Sequence, residues 1–504
     1  MNDTHTPDDG LSIYGGSLSL LTDLYQLTMA YGYWRAGMAE REASFSLSFR
    51  RNPFNGGYTV ACGLGTVASY LERFSFDTSD LDYLATLRGS DGEPVFANAF
   101  LKYLGDAPLS CSIQAVDEGT IVFPHEPILR VIGPIWQAQI LETAILNIVN
   151  FQTLIATKAA RVVESTGGDP VLEFGLRRAH GLDGALAASR AAYVGGCIGT
   201  SNVLAGKLLG IPVRGTHAHS WVMSFDDELE SFKAYARALP NNCIFLVDTY
   251  DSIAGVHKAI EVGHWLRERG QELIGVRLDS GDLAYLSIEA RRLLDEAGFE
   301  KTVIFASNDL DEWIIDSLKK QGATIAAWGV GTKLVTGQDD GALGGVYKIN
   351  AIRDENGEWS PRIKLSEQAV KVSTPGLLQV RRFERNGLMV ADAVLNELST
   401  PQSRCTIVDP VDHTRRRDLG VGMSHRDLLS PFFENGKLVA GRDDSLHAGR
   451  ERVRDGLDKL HPSIRRFTYP HTYPVGLERS LHELRTRLIF EARAHSEVGQ
   501  NNDG

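Results

Sequence analysis

The feature that most constrains this chain is an alternation, between residues 171 and 330, of short apolar segments with segments of helical character. Short apolar runs bounded by polar or glycine residues are typical of buried strands. The segments that predict strands are 171–174, 197–200, 212–216, 243–249, 273–279, 303–307 and 324–330. Strands that alternate with helices predict a parallel sheet with helical crossovers, and seven of them favour a (β/α) barrel over an open sheet.

The sequence on either side of this alternation predicts a mixed, largely antiparallel domain. Residues 43–50 alternate apolar residues with serines, which predicts a strand with one wet face. Residues 140–164 predict one long helix, and two hairpins are predicted after the barrel. We therefore predict four segments in an α/β protein: residues 1–139 begin a discontinuous mixed α/β sandwich domain, 140–344 form the barrel, 345–400 return to the sandwich, and 401–504 are a C-terminal extension.

Charge and cysteine content argue against several classes of protein. The net charge is −12, and a field of that sign repels nucleic acid and anionic membranes. No apolar run reaches the length of about 18 residues that a membrane-spanning helix needs. The five cysteines are scattered, which favours reduced thiols over a disulfide framework. We expect a cytoplasmic protein that binds small molecules, with neither nucleic acid nor membrane as a partner.

Polar residues follow nearly every predicted barrel strand. Because functional residues of a parallel barrel lie at the carboxyl ends of its strands, we expect these side chains to meet on one face. The stability of a barrel does not require polar residues at nearly every strand end. The candidate residues are Glu173 to Arg177, Thr200, Ser201, Thr216, His217, His219, Asp248, Arg277, Asp279, Ser280, Ser307, Asn308, Asp309, Gly329, Gly331 and Thr332.

The chemistry of these residues indicates a phosphorylated ligand. Arg177 and Arg277 end different strands, and guanidinium groups bind phosphates and carboxylates through two parallel hydrogen bonds. The glycines and threonine of residues 329–332 allow backbone amides and a hydroxyl to hold a phosphate. Asp248 and Asp279 suit Mg²⁺ or sugar hydroxyls. No strong nucleophile accompanies them, so the site favours chemistry that proceeds by stabilisation of charge.

Alternative interpretations exist for several of these residues. His217 and His219 form an HxH pair like that of metal-dependent amidohydrolases, although such a pair is expected on the first barrel strand and not in the middle. The glycines of residues 329–332 could form only a turn, and Asp248 could only cap a helix. Arg177 could be a solvated surface residue.

Segments spread over nearly the whole chain resemble the nicotinate phosphoribosyltransferase family. Nine of them occur in the order found in that family, and PHTYPVGLERSLHELR near the end is similar as well. The nine are LLTDLYQLTMA (20–30), LETAILNIVNFQTLIATKAARV (141–162), EFGLRRAHG (173–181), GTSNVLAG (199–206), GTHAHSW (215–221), GVRLDSGDL (275–283), SND (307–309), GVGTKLVT (329–336) and LGGVYK (343–348). The resemblance implies an irregular (β/α) barrel of the type II phosphoribosyltransferase kind with a mixed sandwich domain.

The resemblance also implies roles for single residues. It makes His219 the residue that ATP phosphorylates, and His219, Arg277 and Asp279 catalytic. It implies that Tyr25, supplied by the partner subunit of a homodimer with shared sites, and Phe174 sandwich nicotinate. Thr216, Ser201 and Arg277 are the other residues implied at nicotinate. Those implied at phosphoribosyl pyrophosphate are Arg177, Ser307, Asn308, Asp309, Gly329, Gly331 and Thr332, and those implied at Mg²⁺ are Asp279 and Asp248.

These roles imply an ATP-coupled, ligase-type synthesis of nicotinate mononucleotide in the salvage of NAD. The nearest rival is nicotinamide phosphoribosyltransferase, which has an aspartate where Ser201 stands. That aspartate would accept a hydrogen bond from an amide and repel a carboxylate, so Ser201 favours nicotinate. A rival of another class is a non-catalytic protein that kept the fold, which intact His219, Arg177 and Arg277 argue against.

Overall fold

A computed structural model of the chain describes residues 14–399, 405–420 and 423–501. The chain divides into two compact units. The first comprises Met1–Leu154 and Ala342–Gly504, and the second comprises Ile155–Gly341. The second unit is therefore a continuous stretch of sequence that interrupts the first.

The described residues contain both helices and strands throughout their length. The helices are α1 (Leu24–Arg35), α2 (Leu64–Glu72), α3 (Thr78–Thr86), α4 (Asn98–Asp106), α5 (Ile135–Ile140), α6 (Glu142–Ser165), α7 (Gly181–Val194), α8 (Val203–Leu209), α9 (His219–Met223), α10 (Glu228–Ala238), α11 (Ser252–Arg267), α12 (Leu283–Glu296), α13 (Glu312–Lys320), α14 (Thr332–Val335), α15 (Leu446–Asp458), α16 (Pro462–Arg465) and α17 (Arg479–Asn501). Single turns of 3₁₀-helix lie at Pro53–Asn55, Leu176–Arg178 and Ala369–Lys371. The strands are β1 (Glu42–Phe49), β2 (Thr59–Val60), β3 (Ser112–Ala115), β4 (Ile121–Val122), β5 (Leu129–Pro134), β6 (Val171–Glu173), β7 (Gly199–Thr200), β8 (Ile244–Leu246), β9 (Gly275–Leu278), β10 (Val303–Ala306), β11 (Ala327–Val330), β12 (Gly345–Arg353), β13 (Trp359–Pro361), β14 (Leu378–Arg385), β15 (Leu388–Asn396), β16 (Cys405–Val408), β17 (Arg416–Leu419), β18 (Ser424–Asp427), β19 (Ser430–Glu434), β20 (Lys437–Leu438) and β21 (Val475–Glu478).

The second unit is built on a six-stranded sheet in the order β7-β6-β11-β10-β9-β8. Every neighbouring pair in it is parallel, as the alternation of strands and helices predicted. The strand cores are apolar and buried, as in β9 and β10, where Val276, Leu278 and Ile304 are at most 1 % exposed. Helices α7 to α13 are the crossovers that carry the chain from one strand to the next.

The prediction of a seventh strand at residues 212–216 is wrong. This segment forms an isolated parallel bridge between Thr200 and Val213, with Thr200 N–H donating to Pro212 O and Arg214 N–H donating to Thr200 O, each at 3.0 Å. Proline has no N–H with which to extend such a ladder. After the bridge the chain leaves the sheet, and the barrel is irregular and open at this point.

The first unit contains an antiparallel seven-stranded sheet in the order β13-β12-β1-β5-β3-β19-β20. The strand β12 pairs with β1, so the chain does return to its N-terminal sheet after the second unit. The expectation of a wet face on β1 is wrong, because Ser44 and Ser46 are 0 % and 4 % exposed. The strand is central in the sheet, and its serine face is covered as well as its apolar face.

A second sheet of the first unit has six strands in the order β17-β16-β21-β15-β14-β18. Its strands come from residues 378–478, and β19 extends the first sheet by pairing with β3. The sequence predicted a C-terminal extension after residue 400, but the described part of this segment is integrated into the first unit. It supplies strands to the two larger sheets of the first unit, and residues 401–404 themselves lie outside the described part of the chain.

The long helix predicted at 140–164 is confirmed as α6, which begins two residues later than expected, and the short helix α5 precedes it. The short α5 begins directly after Pro134, and α6 follows after Leu141. Together, residues Ile135–Ser165 are long and apolar enough to pass a length and composition test for a membrane span, but 67% of the tested window is buried inside the protein. The apolar residues of this segment therefore belong to the core of the protein.

Candidate active site

Arg277 is the side chain around which the carboxyl edge of the second unit's sheet is organised. It lies on β9, and its Nη1 donates to Thr216 Oγ1 at 2.8 Å while Nη2 donates to His217 O at 3.1 Å. Its Nε is buried and has no hydrogen-bond partner among the described residues. Burial lowers the pKa of the Arg277 guanidinium, and the carboxylates of Asp279 and Asp248 oppose that change. A buried guanidinium with an unused donor is suited to an anionic ligand.

His217 has a structural role beneath Arg277. Its ring is 8% exposed, packs edge-on to Tyr235 at 4.9 Å between centroids, and accepts a hydrogen bond at Nε2 from Leu246 N–H at 3.3 Å. Burial lowers the pKa of His217 to about 4, so the ring is neutral at pH 7 with its proton on Nδ1. The amidohydrolase alternative is therefore excluded at this residue, because the nitrogen that a metal would need already accepts from the backbone.

His219 lies two residues further on, at the start of α9, with its side chain 39% exposed. Its Nε2 is 3.9 Å from Asp248 Oδ1 and 3.8 Å from Asp279 Oδ2. Its Nδ1 lies 3.1 Å from Thr249 Oγ1. One nitrogen of an accessible imidazole thus faces two carboxylates, and the other is held by a hydroxyl.

Asp248 and Asp279 are fixed relative to each other by short contacts between the ends of β8 and β9. Oδ2 of Asp248 accepts from Asp279 N–H at 2.8 Å and from Ser280 Oγ at 2.7 Å, while Oδ1 is buried without a hydrogen-bond partner among the described residues. Asp279 in turn accepts at Oδ1 from the hydroxyl of Ser307. Asp248 is therefore an organising residue of the site and not a helix cap; the side chain that caps α11 is Asp251.

These two carboxylates fit Mg²⁺. The buried Oδ1 of Asp248, which has no hydrogen-bond partner among the described residues, and Oδ2 of Asp279 are hard oxygen ligands that both lie within 4 Å of His219 Nε2. The described residues contain no group of three or more His, Cys, Asp or Glu side chains that could hold a metal ion. Mg²⁺ commonly uses one or two protein carboxylates and takes its remaining ligands from water and substrate phosphates.

Phe174 provides an aromatic surface on the side of the sheet that carries Arg277. Its ring stacks on Phe305 with centroids 5.7 Å apart, and Phe305 pairs in register with Arg277 on the neighbouring strand. A Cβ added at Gly329 would lie 2.7 Å from the Phe174 ring and 2.9 Å from Phe305. The glycine is therefore needed for close approach of the two rings, and its role here is packing.

A buried carboxylate, Glu173, joins the end of β6 to its surroundings. It accepts from the backbone N–H of Gly175, from Thr200 Oγ1 at 2.6 Å and from Ser189 Oγ at 2.9 Å. Its backbone O accepts from Ser201 N–H at 3.0 Å. This network fixes the loop that carries Phe174 and holds Ser201, which is half-buried, beside it.

Other predicted site residues lie at the ends of the same strands. Ser307 is buried, whereas Asn308 and Asp309 are exposed, as is Arg177 in the turn after β6. Asn308 has φ +127°, a rare conformation for a residue with a side chain and one associated with functional sites. Gly331 and Thr332 follow β11, where Thr332 begins α14. Tyr25 belongs to the first unit, on α1, and is 50% exposed.

Sequence reasoning did not single out Thr249 or Ser280 as partners of other side chains. Thr249 closes the apolar segment 243–249, directly after Asp248, so its position at a strand end was visible. Its function of orienting His219 depends on a contact between residues 30 apart, which strand periodicity does not reveal.

The geometry can be compared with known proteins. Models of the nicotinate phosphoribosyltransferase N-terminal domain, family domain and C-terminal domain match residues 20–150, 170–359 and 379–485. The chain is 44% identical over 486 residues to nicotinate phosphoribosyltransferase of Bacillus subtilis, covering 95% of this chain and 97% of that protein. It is 37% identical over 562 residues to the enzyme of that name from Caenorhabditis elegans, covering 99% and 98%.

Two solved structures are similar as well. The human nicotinic acid phosphoribosyltransferase structure has a TM-score of 0.80 at 32% identity and covers 93% of this chain and 99% of that chain. The nicotinate-nucleotide pyrophosphorylase structure from Pyrococcus furiosus, with a TM-score of 0.65 at 23% identity and coverage of 91% and 97%, supports the fold alone. These findings confirm the predicted fold class, an irregular type II phosphoribosyltransferase barrel with a mixed sandwich. The chain belongs to the nicotinate phosphoribosyltransferase family.

Proposed function

We propose that this chain transfers the phosphoribosyl group of phosphoribosyl pyrophosphate to the ring nitrogen of nicotinate, producing nicotinate mononucleotide and pyrophosphate for the salvage of NAD. Family membership supports this assignment. The observation that carries it is the convergence of an aromatic ring and a buried guanidinium with an unused donor, Phe174 and Arg277, on one side of the sheet. Nicotinate is a flat ring with a carboxylate and suits both.

The two substrates would bind to different residues at the carboxyl ends of the parallel strands. Nicotinate would stack on Phe174, with its carboxylate near Arg277 and Thr216. Phosphoribosyl pyrophosphate would be held by the groups at the other strand ends, which are Arg177, Ser307, Asn308, Asp309, Gly331 and Thr332, whereas Gly329 packs between two rings within β11. Arginine and backbone amides are the usual partners of phosphate groups.

The transfer breaks the bond between C1 of the ribose and the pyrophosphate oxygen and forms a bond between C1 and the nicotinate nitrogen. Positive charge develops on the sugar as the leaving group departs with the electron pair. Carboxylates beside the ribose, such as Asp279, stabilise that positive charge, and Arg177 stabilises the departing pyrophosphate. Asp248 and Asp279 would hold Mg²⁺, which when bound supplies positive charge opposite the leaving phosphates.

ATP coupling is the finer part of the proposal. Nε2 of a neutral His219, with its proton on Nδ1 and donated to Thr249, attacks the γ-phosphorus of ATP, so that an N–P bond forms and ADP leaves. Water later breaks the N–P bond and releases phosphate. The added negative charge on His219 would alter how the site holds the sugar phosphate. The accessibility of His219, its contact with Thr249 and the buried state of His217 support His219 as the phosphorylated residue.

Assembly and location complete the proposal. We infer a cytoplasmic homodimer in which Tyr25 of one copy reaches the nicotinate site of the other. The exposure of Leu21, Leu24 and Tyr25, at 47%, 55% and 50%, supports a partner for this end of α1, because adjacent exposed apolar residues often mark an interface. The five free cysteines, four of them buried, are consistent with a reducing compartment.

The test is a set of parallel assays with nicotinate, nicotinamide and quinolinate, each with and without ATP. We expect turnover with nicotinate, acceleration by ATP, and ADP and phosphate formed together with the mononucleotide. Arg277→Gln should abolish the activity, which ties it to this site. Equal use of nicotinamide would contradict the assignment of the acid substrate, and an absence of acceleration by ATP would contradict the coupling.

A further inference from the structure

An open cavity of about 800 Å³ lies within the first unit, and its lining residues are remote in sequence from those of the candidate active site. Three separate segments bring arginines to it. Arg385 ends β14 at a hairpin turn, Arg417 lies on β17, and Arg466 follows α16. The segment 469–474 lines the cavity between them. Convergence of three arginines from distant segments is not expected of an ordinary surface groove.

The charge of this cavity is opposite to that of the whole chain. Besides the three arginines, His461 and His471 line it, and none of the described lining residues is an aspartate or a glutamate. The chain as a whole has 64 acidic and 52 basic residues. A cation-lined concavity in an acidic protein attracts small anions locally, because distant surface charge is screened at physiological salt.

Two of the arginines lack partners of their own. The guanidinium groups of Arg385 and Arg466 have neither an ion pair nor a hydrogen bond with any residue that the structure describes. Arg417 is anchored by one hydrogen bond, from Nη1 to Val390 O at 3.2 Å, which leaves most of its five donors unused. By contrast, Arg381 in the same unit forms an ion pair with Asp427.

His461 adds a donor of fixed tautomer. Its Nδ1 accepts from Ser463 N–H at 3.2 Å and lies 2.7 Å from Ser463 Oγ. A neutral ring whose Nδ1 accepts from the backbone carries its proton on Nε2. The cavity therefore has an N–H donor at His461 in addition to its guanidinium groups.

An aromatic ring stands at the cavity beside these donors. Tyr469 is 92% exposed and has φ +47°, a left-handed conformation that is uncommon for a residue with a side chain. An almost fully solvated tyrosine ring on a constrained backbone, directly before Pro470, is available to stack against a flat ligand.

A second cavity, of about 540 Å³, shares Arg417 and the segment 471–474 with the first. It adds Arg416 to the cationic lining, together with Arg415, whose Nε pairs with Asp412 Oδ2 at 3.1 Å. One carboxylate, that of Asp409, lines it, but its Oδ1 accepts from the backbone N–H of Val411 and of Asp412 at 2.8 Å and 2.9 Å. The positive character thus continues beyond the first cavity.

We propose that this cavity is a binding site for a small molecule that carries two or more phosphate groups, with a nucleoside polyphosphate as the chemistry that uses the arginines and the Tyr469 ring together. Partly free guanidinium groups from three segments bind separate phosphates, and each pair is a strong, charge-assisted contact. The volume accommodates a ligand of nucleotide size. This inference does not depend on the reaction proposed above.

Isothermal titration calorimetry with inorganic triphosphate, ADP and ATP tests the site on the intact protein. We expect wild type to bind triphosphate at this site in addition to any binding at the catalytic face. Arg385→Gln together with Arg466→Gln should weaken that component at least 30-fold, as expected for the loss of two charge-assisted contacts of roughly 1–2 kcal/mol each. The affinity should also fall steeply as salt is raised.

Matched variants separate the site from general charge and from the catalytic face. Arg88→Gln with Arg426→Gln removes two charges from the same unit outside the cavity and should leave the isotherm unchanged. Tyr469→Ala should weaken the binding of ATP and ADP, because the ring stacks on the base, and should leave the binding of triphosphate unchanged. Unchanged binding of all three ligands would exclude a nucleoside as the ligand. The cavity double variant should keep kcat/KM for nicotinate within twofold at low ATP.

The proposal is wrong if triphosphate binds equally to wild type and the cavity double variant. It is also wrong if that variant leaves binding unchanged but alters the mass measured by light scattering, since the cationic lining would then contact an acidic surface of a second copy. Wild-type-like circular dichroism and melting temperature of the double variant, which alters only exposed side chains, ensure that lost binding reports the site.

Discussion

The hydroxyl oxygen of Thr249 lies 3.1 Å from Nδ1 of His219, so that the opposite nitrogen of the ring faces Asp248 and Asp279. If the hydroxyl accepts the Nδ1 proton, Nε2 keeps the lone pair needed to attack ATP. Thr249→Val should remove that acceptor and slow phosphorylation of His219 by roughly five- to tenfold, the value of one hydrogen bond. Rapid-quench labelling with γ-labelled ATP measures the rate.

Thr249→Ser keeps the hydroxyl and serves as the control for this prediction, with labelling close to wild type expected. Synthesis without ATP should be unaffected in both variants, because the hydroxyl of Thr249 bonds to His219 and not to a residue proposed at the sugar phosphate. Labelling of Thr249→Val at the wild-type rate would show that the hydroxyl does not orient the ring.

The choice between the two histidines of the GTHAHS segment gives a second prediction. Incubation with γ-labelled ATP should label wild type and His217→Asn but not His219→Asn, with label that is acid-labile and stable to alkali. His219→Asn should retain some synthesis without ATP and lose acceleration by ATP. Persistent label in His219→Asn would overturn the assignment and leave the buried His217 as the next residue to test.

Substrate choice at Ser201 gives a third prediction. The backbone N–H of this residue is held by Glu173 O, so a larger side chain remains in place. Ser201→Asp should set a second anion near the nicotinate carboxylate and lower kcat/KM by on the order of 2–4 kcal/mol, roughly 30- to 1000-fold. Ser201→Asn has nearly the same size without the charge, and it should lose much less. Equal kinetics of wild type and Ser201→Asp would place the residue away from the pyridine ring.

A shared site in a dimer gives a fourth prediction. Tyr25→Ala and Arg277→Ala should each be nearly inactive alone. After the two are mixed and subunits exchange, activity should reappear, because one of the two sites in each heterodimer then has both residues intact. Native mass spectrometry verifies that exchange has occurred, and exchange without recovery of activity would exclude the shared site.

The buried imidazole of His217 gives a prediction about stability. Burial lowers its pKa to about 4, below the value of about 6.5 in an unfolded chain. As the pH falls, the unfolded state therefore binds the proton before the folded state does. The contribution of His217 to the free energy of unfolding is fully present above pH 6.5 and is lost progressively between pH 6.5 and pH 4. Between pH 7 and pH 5 this residue should account for about 2 kcal/mol of lost unfolding free energy.

Urea unfolding of wild type and His217→Gln at the two pH values isolates this contribution, because other groups titrate equally in both proteins. The variant should show a smaller drop by about 2 kcal/mol. NMR of the labelled imidazole should show a ring that is neutral until about pH 4. Identical pH dependence in both proteins would contradict the assignment of a buried neutral ring.

Much of the site was predictable because a parallel sheet brings the carboxyl ends of distant strands together. Reading the strand ends located Asp248, Arg277 and Asp279 without knowledge of their contacts, and the structure brings them together with His219. What the pattern could not supply was the pairing between them. Which oxygen of Asp248 is occupied and which is free depends on the positions of Asp279 and Ser280, residues that lie 31 and 32 positions later.

The fold was less predictable where tertiary contacts decide the outcome. The segment 212–216 has the composition of a strand, yet its proline and the departure of the chain towards Thr216 leave one bridge. The serines of β1 suggested a wet face, but a central position between β12 and β5 buries them. Pairing of β19 with β3, across more than 300 residues, has no local signal in the sequence.

That last pairing has a consequence for the order of events during synthesis. The second unit is contiguous, so its parallel sheet can form as soon as residue 341 has left the ribosome. The first unit contains strand partners at β1 with β12 and at β3 with β19, which places an edge of its N-terminal sheet in residues translated near the end. The portion of the chain made first is therefore the last to become complete, and until then its apolar strands remain open to the chaperones that attend nascent chains.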